Sequence, residues 1–83
     1  TEKDKINFDI IPNPNNGVFN IIFEKTMNGL SKINIYDIGG KMIYNKDITS
    51  NDNKINLSNI EKGIYLITVE NNLHKTVKRI IVQ

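Results

Sequence analysis

The sequence predicts an all-β domain in which seven antiparallel strands form a two-layered β-sandwich. Seven short runs rich in β-branched and aromatic residues are separated by turn-forming residues every 8 to 12 positions, a spacing typical of such sandwiches. No segment of useful length has the apolar periodicity of a helix. The chain has 83 residues, which is the size of a single domain.

The strands are located by the alternation of apolar and polar side chains. Ile6, Phe8 and Ile10 share one face of the first strand, and alternate residues of the other strands supply similar apolar faces. The sixth strand is apolar on both faces, which indicates a central position in its sheet. We expect an immunoglobulin-like or Greek-key path between the sheets. The predicted strands span residues 6–11, 18–24, 31–38, 41–48, 54–57, 64–70 and 75–82.

Three turn-forming clusters occur at alternate connections, at residues 12–17, 37–41 and 58–63. In an antiparallel fold each strand reverses the direction of the one before it, so connections one, three and five lie at the same end of the molecule. The seventh strand also ends there. We therefore predict that the three clusters and Val82 meet at one end, here called the motif pole, with Thr1 at the far end.

Each cluster also has a predicted local structure. The first is stiffened by its two prolines, while Gly17 can adopt a positive φ angle without steric cost. In the second, Gly39 and Gly40 favour a two-residue primed turn that closes a tight hairpin. In the third, Ser58 is the expected N-cap of a single helical turn that ends before Gly63.

Composition limits the possible functions. The net charge of +2 is well short of the clustered basic face that nucleic-acid binding requires, so no nucleic-acid partner is expected. Cysteine is absent, which leaves apolar packing and strand pairing to hold a small core. No apolar run approaches the roughly 18 residues of a membrane span, and the N-terminal residues lack the apolar segment of a signal peptide.

Candidate catalytic and metal-ligating residues do not form a recognisable set. His74, the single histidine, lies next to a turn and is interpreted as a solvated loop residue. The acidic residues are scattered over polar faces and loops rather than paired across a cleft. The polar loop at residues 47–53 offers oxygen ligands but lacks the spacing of a calcium loop. We therefore predict no enzymatic activity, metal site, cofactor or small-molecule substrate.

Four sequence motifs occur in order along nearly the whole chain. They are I-x-P-N-P-x-x-G-x-F-x-I at residues 10–21, I-x-I-Y-D-x-x-G-K-x-I-Y at 33–44, I-x-L-S-x-x-x-K-G-I-Y-x-I at 55–67 and K-x-x-K-x-I-x-V at 75–82. The first motif alone is ordinary turn chemistry. Together, in this order and at this spacing, the four resemble the type A C-terminal sorting domain of the type IX secretion system of Bacteroidota.

The resemblance implies a function and a set of partners. Domains of this family are non-catalytic secretion signals that target a passenger protein for export across the outer membrane. Residues 6–83 are then expected to form the sorting domain, and residues 1–5 the end of a linker from an upstream passenger domain. The implied partners are outer-membrane shuttle and translocon β-barrel proteins, with a sortase-like peptidase that often removes the signal. The implied route runs through the periplasm to the cell surface or the medium, and the passengers include enzymes, adhesins and gliding motility proteins.

The partner-binding residues are expected at the motif pole, because a label is recognised away from the point where its passenger is attached. Glycines there allow close backbone approach, and lysines offer charge to a complementary rim. The competing interpretation is that these residues only shape turns and, near the end of the chain, protect an edge strand from aggregation. The candidates are Pro12, Asn13, Pro14, Gly17, Asp37, Gly40, Lys41, Lys62, Gly63, Lys78, Arg79 and Gln83.

A structural, adhesive or carbohydrate-binding accessory module is the alternative function. The chain has no Trp, and Tyr36, Tyr44 and Tyr65 are dispersed, which favours half-buried strand residues over a sugar-stacking platform. Position in the whole protein discriminates the two functions, because a sorting domain must end the polypeptide whereas an accessory module need not.

Overall fold

The computed structural model describes residues 6–24, 31–48, 52–71 and 74–83. These residues form seven strands and no helix, which confirms the all-β prediction, and every strand lies within two residues of its predicted position. The expected linker at residues 1–5 lies outside the described residues. The strands are β1 (Phe8–Ile11), β2 (Val18–Phe23), β3 (Lys32–Tyr36), β4 (Met42–Asp47), β5 (Asp52–Asn56), β6 (Gly63–Glu70) and β7 (Lys75–Val82).

The strands form two antiparallel sheets. One sheet has three strands in the order β1-β2-β5, and the other has four in the order β4-β3-β6-β7. The arrangement is that of a β-sandwich, as the sequence predicted. The prediction that the sixth strand is central is also confirmed, because β6 pairs with β3 on one side and β7 on the other. Within the described ranges, no helix is long and apolar enough to cross a membrane.

The core contains the inward-facing residues of both sheets. In β2, Phe19, Ile21 and Phe23 are buried whereas Ile22 between them is exposed, as the alternation predicted. Burying one such side chain contributes about 1.5–3 kcal/mol, so the core is the main source of stability in a domain without disulfides. The buried apolar residues are Ile6, Phe8, Phe19, Ile21, Phe23, Ile33, Ile35, Ile55, Tyr65, Ile67, Val69, Ile80 and Val82.

The edge strands β1 and β7 lie next to each other along one side of the sandwich. The Thr76 hydroxyl donates a hydrogen bond to the Ile6 carbonyl at 2.8 Å. Two residues further along β7, the Lys78 ammonium lies 5.3 Å from the centroid of the Phe8 ring and 3.8 Å from the Asp9 carboxylate. Lys78 pairs with buried Ile67 and therefore faces inward. An inward-facing charge on an edge strand discourages pairing with another chain.

Removing β7 should abolish the cooperative unfolding transition. A chain that ends at His74 leaves β6 without a neighbour on one side and removes Ile80 and Val82 from the core. Circular dichroism should detect no cooperative thermal transition in this truncated chain. A transition like that of the intact domain would contradict the prediction.

Two neighbouring residues of β7, one buried and one half-buried, should differ in how much their replacement destabilises the domain. Ile80 is fully buried, whereas Ile81 is half-buried and faces the other side of the strand. Ile80→Ala should reduce the free energy of unfolding by about 3 kcal/mol. Ile81→Ala should reduce it by less than about 1 kcal/mol, and urea denaturation measures both.

Candidate functional site at the motif pole

The three turn-forming clusters meet at one end of the sandwich, as the strand count predicted. The first and third clusters are joined where the Leu57 amide donates to the Gly17 carbonyl at 2.7 Å. The second and third line a common groove. The end of β7 reaches the first cluster through a parallel bridge between Asn15 and Val82. The expected position of Thr1 lies outside the described residues.

The first loop holds the end of β7 through the backbone of Asn15. The Asn15 amide donates to the Ile81 carbonyl at 3.0 Å, and the Gln83 amide donates to the Asn15 carbonyl at 2.8 Å. These bonds lie on the edge of β7 that faces away from β6, because β6 pairs with β7 from Lys75 to Val82 and occupies its other edge. The loop thus acts as a short additional strand on the otherwise open edge of β7.

The side chain of Asn13 extends this pairing by one more step. Its Nδ2 donates to the Arg79 carbonyl at 3.3 Å, and its Oδ1 accepts from the Ile81 amide at 3.1 Å. An amide side chain carries an NH₂ donor group beside a carbonyl acceptor, so it can replace a peptide group in a strand ladder. We call Asn13 and Asn15, together with the β7 residues they bind, the terminal clasp.

Asn15 and Gly17 fix the shape of the loop that carries the clasp. The buried Asn15 side chain donates to the Pro12 carbonyl at 3.0 Å and accepts from the Gly17 amide at 2.8 Å. Gly17 has a φ of 102°, and a Cβ atom there would lie 2.6 Å from the Leu57 carbonyl oxygen. A side chain is therefore excluded at Gly17, whose role is to let two loops approach each other.

The second loop differs from the predicted two-residue primed turn. The Gly40 amide donates to the Asp37 carbonyl at 3.0 Å, and Gly40 has a positive φ of 91° whereas Gly39 does not. A primed turn of type I′ needs positive φ at both central residues. The Asp37 carboxylate favours the observed three-residue connection, because its Oδ1 accepts from the Gly39 and Lys41 amides at 3.0 and 2.9 Å. The prediction of a tight hairpin was right, and that of the turn type was wrong.

The third loop contains a β-turn in place of the predicted helical turn capped by Ser58. The Ile60 amide donates to the Leu57 carbonyl at 3.1 Å, which closes the turn. The Ser58 amide donates to Asn56 Oδ1 at 3.1 Å. Because Leu57 also donates to the first loop, contacts outside the segment determine its backbone and override the capping pattern. Beyond the turn, the Tyr65 hydroxyl donates to the Glu61 carbonyl at 2.6 Å.

A shallow groove of about 290 Å³ runs between the second and third loops. Ile38, at the tip of the second loop, is 82% exposed, and Ile64 at the start of β6 is 41% exposed. The sequence predicts that both isoleucines belong to strands, and neither is among the predicted partner-binding residues. The sequence does contain a signal for the exposure of Ile38. This isoleucine lies between Asp37 and Gly39, two turn-forming residues, and a turn places its side chains at the surface. The groove is lined by Asp37, Ile38, Gly39, Glu61, Lys62, Gly63, Ile64 and Tyr65.

The predicted partner-binding residues differ in how accessible they are. The Gly17 backbone is enclosed by the third loop, and one oxygen of Asp37 is occupied by its own turn. Lys78 extends along the side of the sandwich towards Phe8 and Asp9 rather than over the pole. Exposed candidates are Pro12, Asn13, Pro14, Gly40, Lys41, Lys62, Lys78, Arg79 and Gln83, half-buried ones are Asp37 and Gly63, and Gly17 is buried.

Comparison with known proteins identifies a family for this chain. Residues 9–83 match the family model described as a secretion system C-terminal sorting domain. The match covers most of the chain, so the chain belongs to this family of C-terminal sorting signals for type IX secretion. A search of curated proteins finds no match.

Family membership confirms the resemblance to a C-terminal sorting domain for type IX secretion that the four motifs indicated. The family is a sorting signal and is not catalytic, and its role implies interaction with the type IX secretion machinery. It also implies export to the cell surface or secretion.

Replacing Asn13 should weaken the hold on β7. Asn13→Ala removes one donor and one acceptor from the clasp, and we expect a loss of about 1–2 kcal/mol in the free energy of unfolding. Hydrogen exchange of the Ile81 amide should accelerate, because that amide loses its acceptor.

Two further variants make the measurement specific. Asn7→Ala, at an exposed asparagine outside the clasp, should leave both quantities unchanged. Asn13→Asp keeps the acceptor for Ile81 but places an oxygen opposite the Arg79 carbonyl, so it should also destabilise the domain. Equal Ile81 exchange in all three variants would contradict the clasp.

Gly17 and Gly40 should respond differently to the same substitution. Gly17→Ala combines a positive φ with a backbone clash and should cost more than about 3 kcal/mol. Gly40→Ala also requires a positive φ, but its Cβ would meet nothing within 4 Å, so we expect roughly 1–2 kcal/mol. Urea denaturation of both variants measures the difference, and equal losses would disprove it.

Proposed function

We propose that this domain is the non-catalytic label of a passenger upstream in the same polypeptide and that the motif pole is the surface by which the export machinery recognises it. The proposed partners are an outer-membrane shuttle protein and the translocon β-barrel. A sortase-like peptidase then removes the label from many passengers. The passenger crosses the periplasm and reaches the cell surface or the medium. We assign the domain to the type A subtype of Bacteroidota, and residues 1–5 to the linker.

The observation that carries this proposal is the terminal clasp. It joins a loop near the start of the domain to the last strand, through hydrogen bonds between residues 66 and 68 positions apart. The pole therefore has its final shape only when both ends of the domain are in place. A partner that binds the pole distinguishes a folded label from an unfolded one.

The groups available to a partner at the pole are mainly cationic and apolar. Lys41 and Lys62 are exposed on the second and third loops, and Arg79 is exposed at the level of the clasp. No salt bridge joins any of these three residues to another part of the chain that the structure describes. Such charges steer a partner with an acidic rim and contribute more to specificity and association rate than to affinity.

Two of the three tyrosines give the carbohydrate-binding alternative little support. Tyr65 is buried, and its hydroxyl is bonded to the Glu61 carbonyl. Tyr44 is half-buried and packs against the core. Stacking on a sugar requires an exposed aromatic face, which neither residue offers.

Replacing the two loop lysines should reduce export. The chain is fused behind a fluorescent reporter that carries a signal peptide, and the fusion is expressed in a host with a type IX system. Because rim charges act mainly on the association rate, Lys41→Ala with Lys62→Ala should lower the exported fraction roughly three- to tenfold. Fluorescence of the medium and the cell surface, relative to the total, measures this fraction.

The matched control replaces Lys32 and Lys54, which are exposed lysines outside the three loops. The Lys32→Ala with Lys54→Ala variant should be exported like the unmodified fusion. Equal export of both double variants, with both domains folded by circular dichroism, would remove the case for recognition through the loops. Failure of the unmodified fusion to be exported would refute the proposed function as a whole.

A further inference from the structure

The outer face of the four-stranded sheet changes character along its length. At the end away from the motif pole, the side chains in register across the sheet are charged. They are Asp47, Lys32, Glu70 and Lys75. In the next register position Asn34 donates to Glu70 and Thr68 at 3.1 and 3.5 Å, which ties β3 to β6. This part of the face therefore consists of charged side chains and of buried polar side chains that bond to each other.

At the end near the motif pole the same face is apolar. Side chains alternate between the two faces of a strand, so the residues between the core residues face outward. On this outer face Leu66 lies beside Tyr36 on one side and Arg79 on the other. Leu66 is 40% exposed, and Met42 beside Tyr36 is 44% exposed. Val77, in register with Thr68 at the border of the polar part, is 52% exposed. We call this surface the outer apolar face, and its members are Tyr36, Met42, Ile64, Leu66, Val77 and Ile81.

The other sheet has no comparable surface. On the outer face of the three-stranded sheet, exposed Ile22 lies beside Asp9, and exposed Ile11 lies beside Asn20. Apolar and polar side chains therefore alternate across that sheet. An isolated exposed apolar residue is normal in a soluble domain. The outer apolar face instead groups four exposed residues with the half-buried Tyr36 and Ile81, and such a group indicates an interaction surface.

Arg79 is the charged residue among the apolar side chains of this face, and its charge limits what can cover the face. Its side chain lies among Leu66, Val77 and Ile81, and it forms no salt bridge with any described residue. The only salt bridge in the described part of the chain joins Lys78 to Asp9. Covering the face would take the Arg79 guanidinium out of water, which is costly unless a carboxylate meets it.

We propose that the outer apolar face is the docking surface for an apolar protein segment of the export machinery that carries a carboxylate opposite Arg79. This proposal rests on the proposed function and adds the surface and the partner chemistry to it. The face adjoins the groove through Ile64, so loops and face form one continuous surface. Tyr36 and Ile64 of the face are motif positions, whereas Met42, Leu66, Val77 and Ile81 lie between motif positions.

The charge of the face argues against a second copy of the domain as its occupant. In a face-to-face dimer, a two-fold axis near the centre of the face would bring two Arg79 residues together. None of the six residues of the face is acidic. An isologous contact would therefore bury two like charges without compensation.

The test replaces outer-face residues in the same reporter fusion. The double variant Ile64→Thr with Leu66→Thr removes apolar surface, and threonine remains favourable in a strand. We expect at least a tenfold fall in the exported fraction. Arg79→Gln should also reduce export about tenfold, and Arg79→Lys less, because a lysine keeps the charge. The matched controls are Ile22→Thr and Lys54→Gln on the other sheet, and both should be exported normally.

The outcomes separate this inference from the proposed function. Normal export of the outer-face variants, together with reduced export of the Lys41 and Lys62 variant, would overturn the docking surface and keep the function. A concentration-dependent dimer of the isolated domain, lost in the Ile64 and Leu66 variant on ultracentrifugation, would identify a second copy as the occupant and overturn the proposal. Flotation of the domain with phosphatidylethanolamine and phosphatidylglycerol vesicles, lost in the same variant, would identify a lipid surface and overturn it as well.

A second measurement covers the case in which an outer-face variant fails to fold. A photo-crosslinking amino acid is placed at Val77, with Ile22 as the control position, in the otherwise unmodified fusion in living cells. Crosslinking from Val77 but not from Ile22 to an integral outer-membrane protein, identified by mass spectrometry, supports the proposal. Equal crosslinking from both positions to that protein overturns it.

Discussion

The pairing of β7 on both of its edges is the constraint on which the rest of the structure depends. β6 pairs with the whole length of β7, and the terminal clasp adds bonds to its final residues on the other edge. The end of an edge strand thus acquires the bonding of an internal strand. The first residues of β7 lack the clasp, and there the inward-facing Lys78 discourages pairing with another chain. The clasp and Lys78 together protect the side of the sandwich at which the edge strands β1 and β7 lie.

Much of the fold could be predicted because it depends on local patterns. Alternation of side chains located all seven strands, and the parity of antiparallel connections placed three loops at one pole. The details that failed depend on partners distant in the chain or on one side chain. Asp37 selected a three-residue connection, and contact with Gly17 set the backbone at Leu57. The roles of Asn13 and Asn15 also required knowledge of which strand lies next to the loop, which no local pattern contains.

The structure divides the residues of the pole into two groups with different tasks. Asn13, Asn15, Gly17 and Asp37 are engaged in hydrogen bonds or close backbone contacts within the domain. The exposed side chains without such bonds include the cationic Lys41 and Lys62 and the apolar Ile38 and Ile64. The four motifs contain residues of both groups, since they specify Gly17 and Asp37 as well as Lys41 and Lys62. For this reason the motifs identified the family without separating the residues that build the pole from those that it exposes.

The clasp also links the state of the label to the progress of protein synthesis. Its loop belongs to the first part of the domain to leave the ribosome, and β7 belongs to the last. Until β7 is released, Asn13 and Asn15 have no strand to bind, and the sheet remains open at β6. A passenger whose translation stops early, or whose end is trimmed by a protease, would carry no completed pole. The hydrogen bonds of a short turn thus make the first loop depend on the last strand, because a chain without β7 cannot form the clasp.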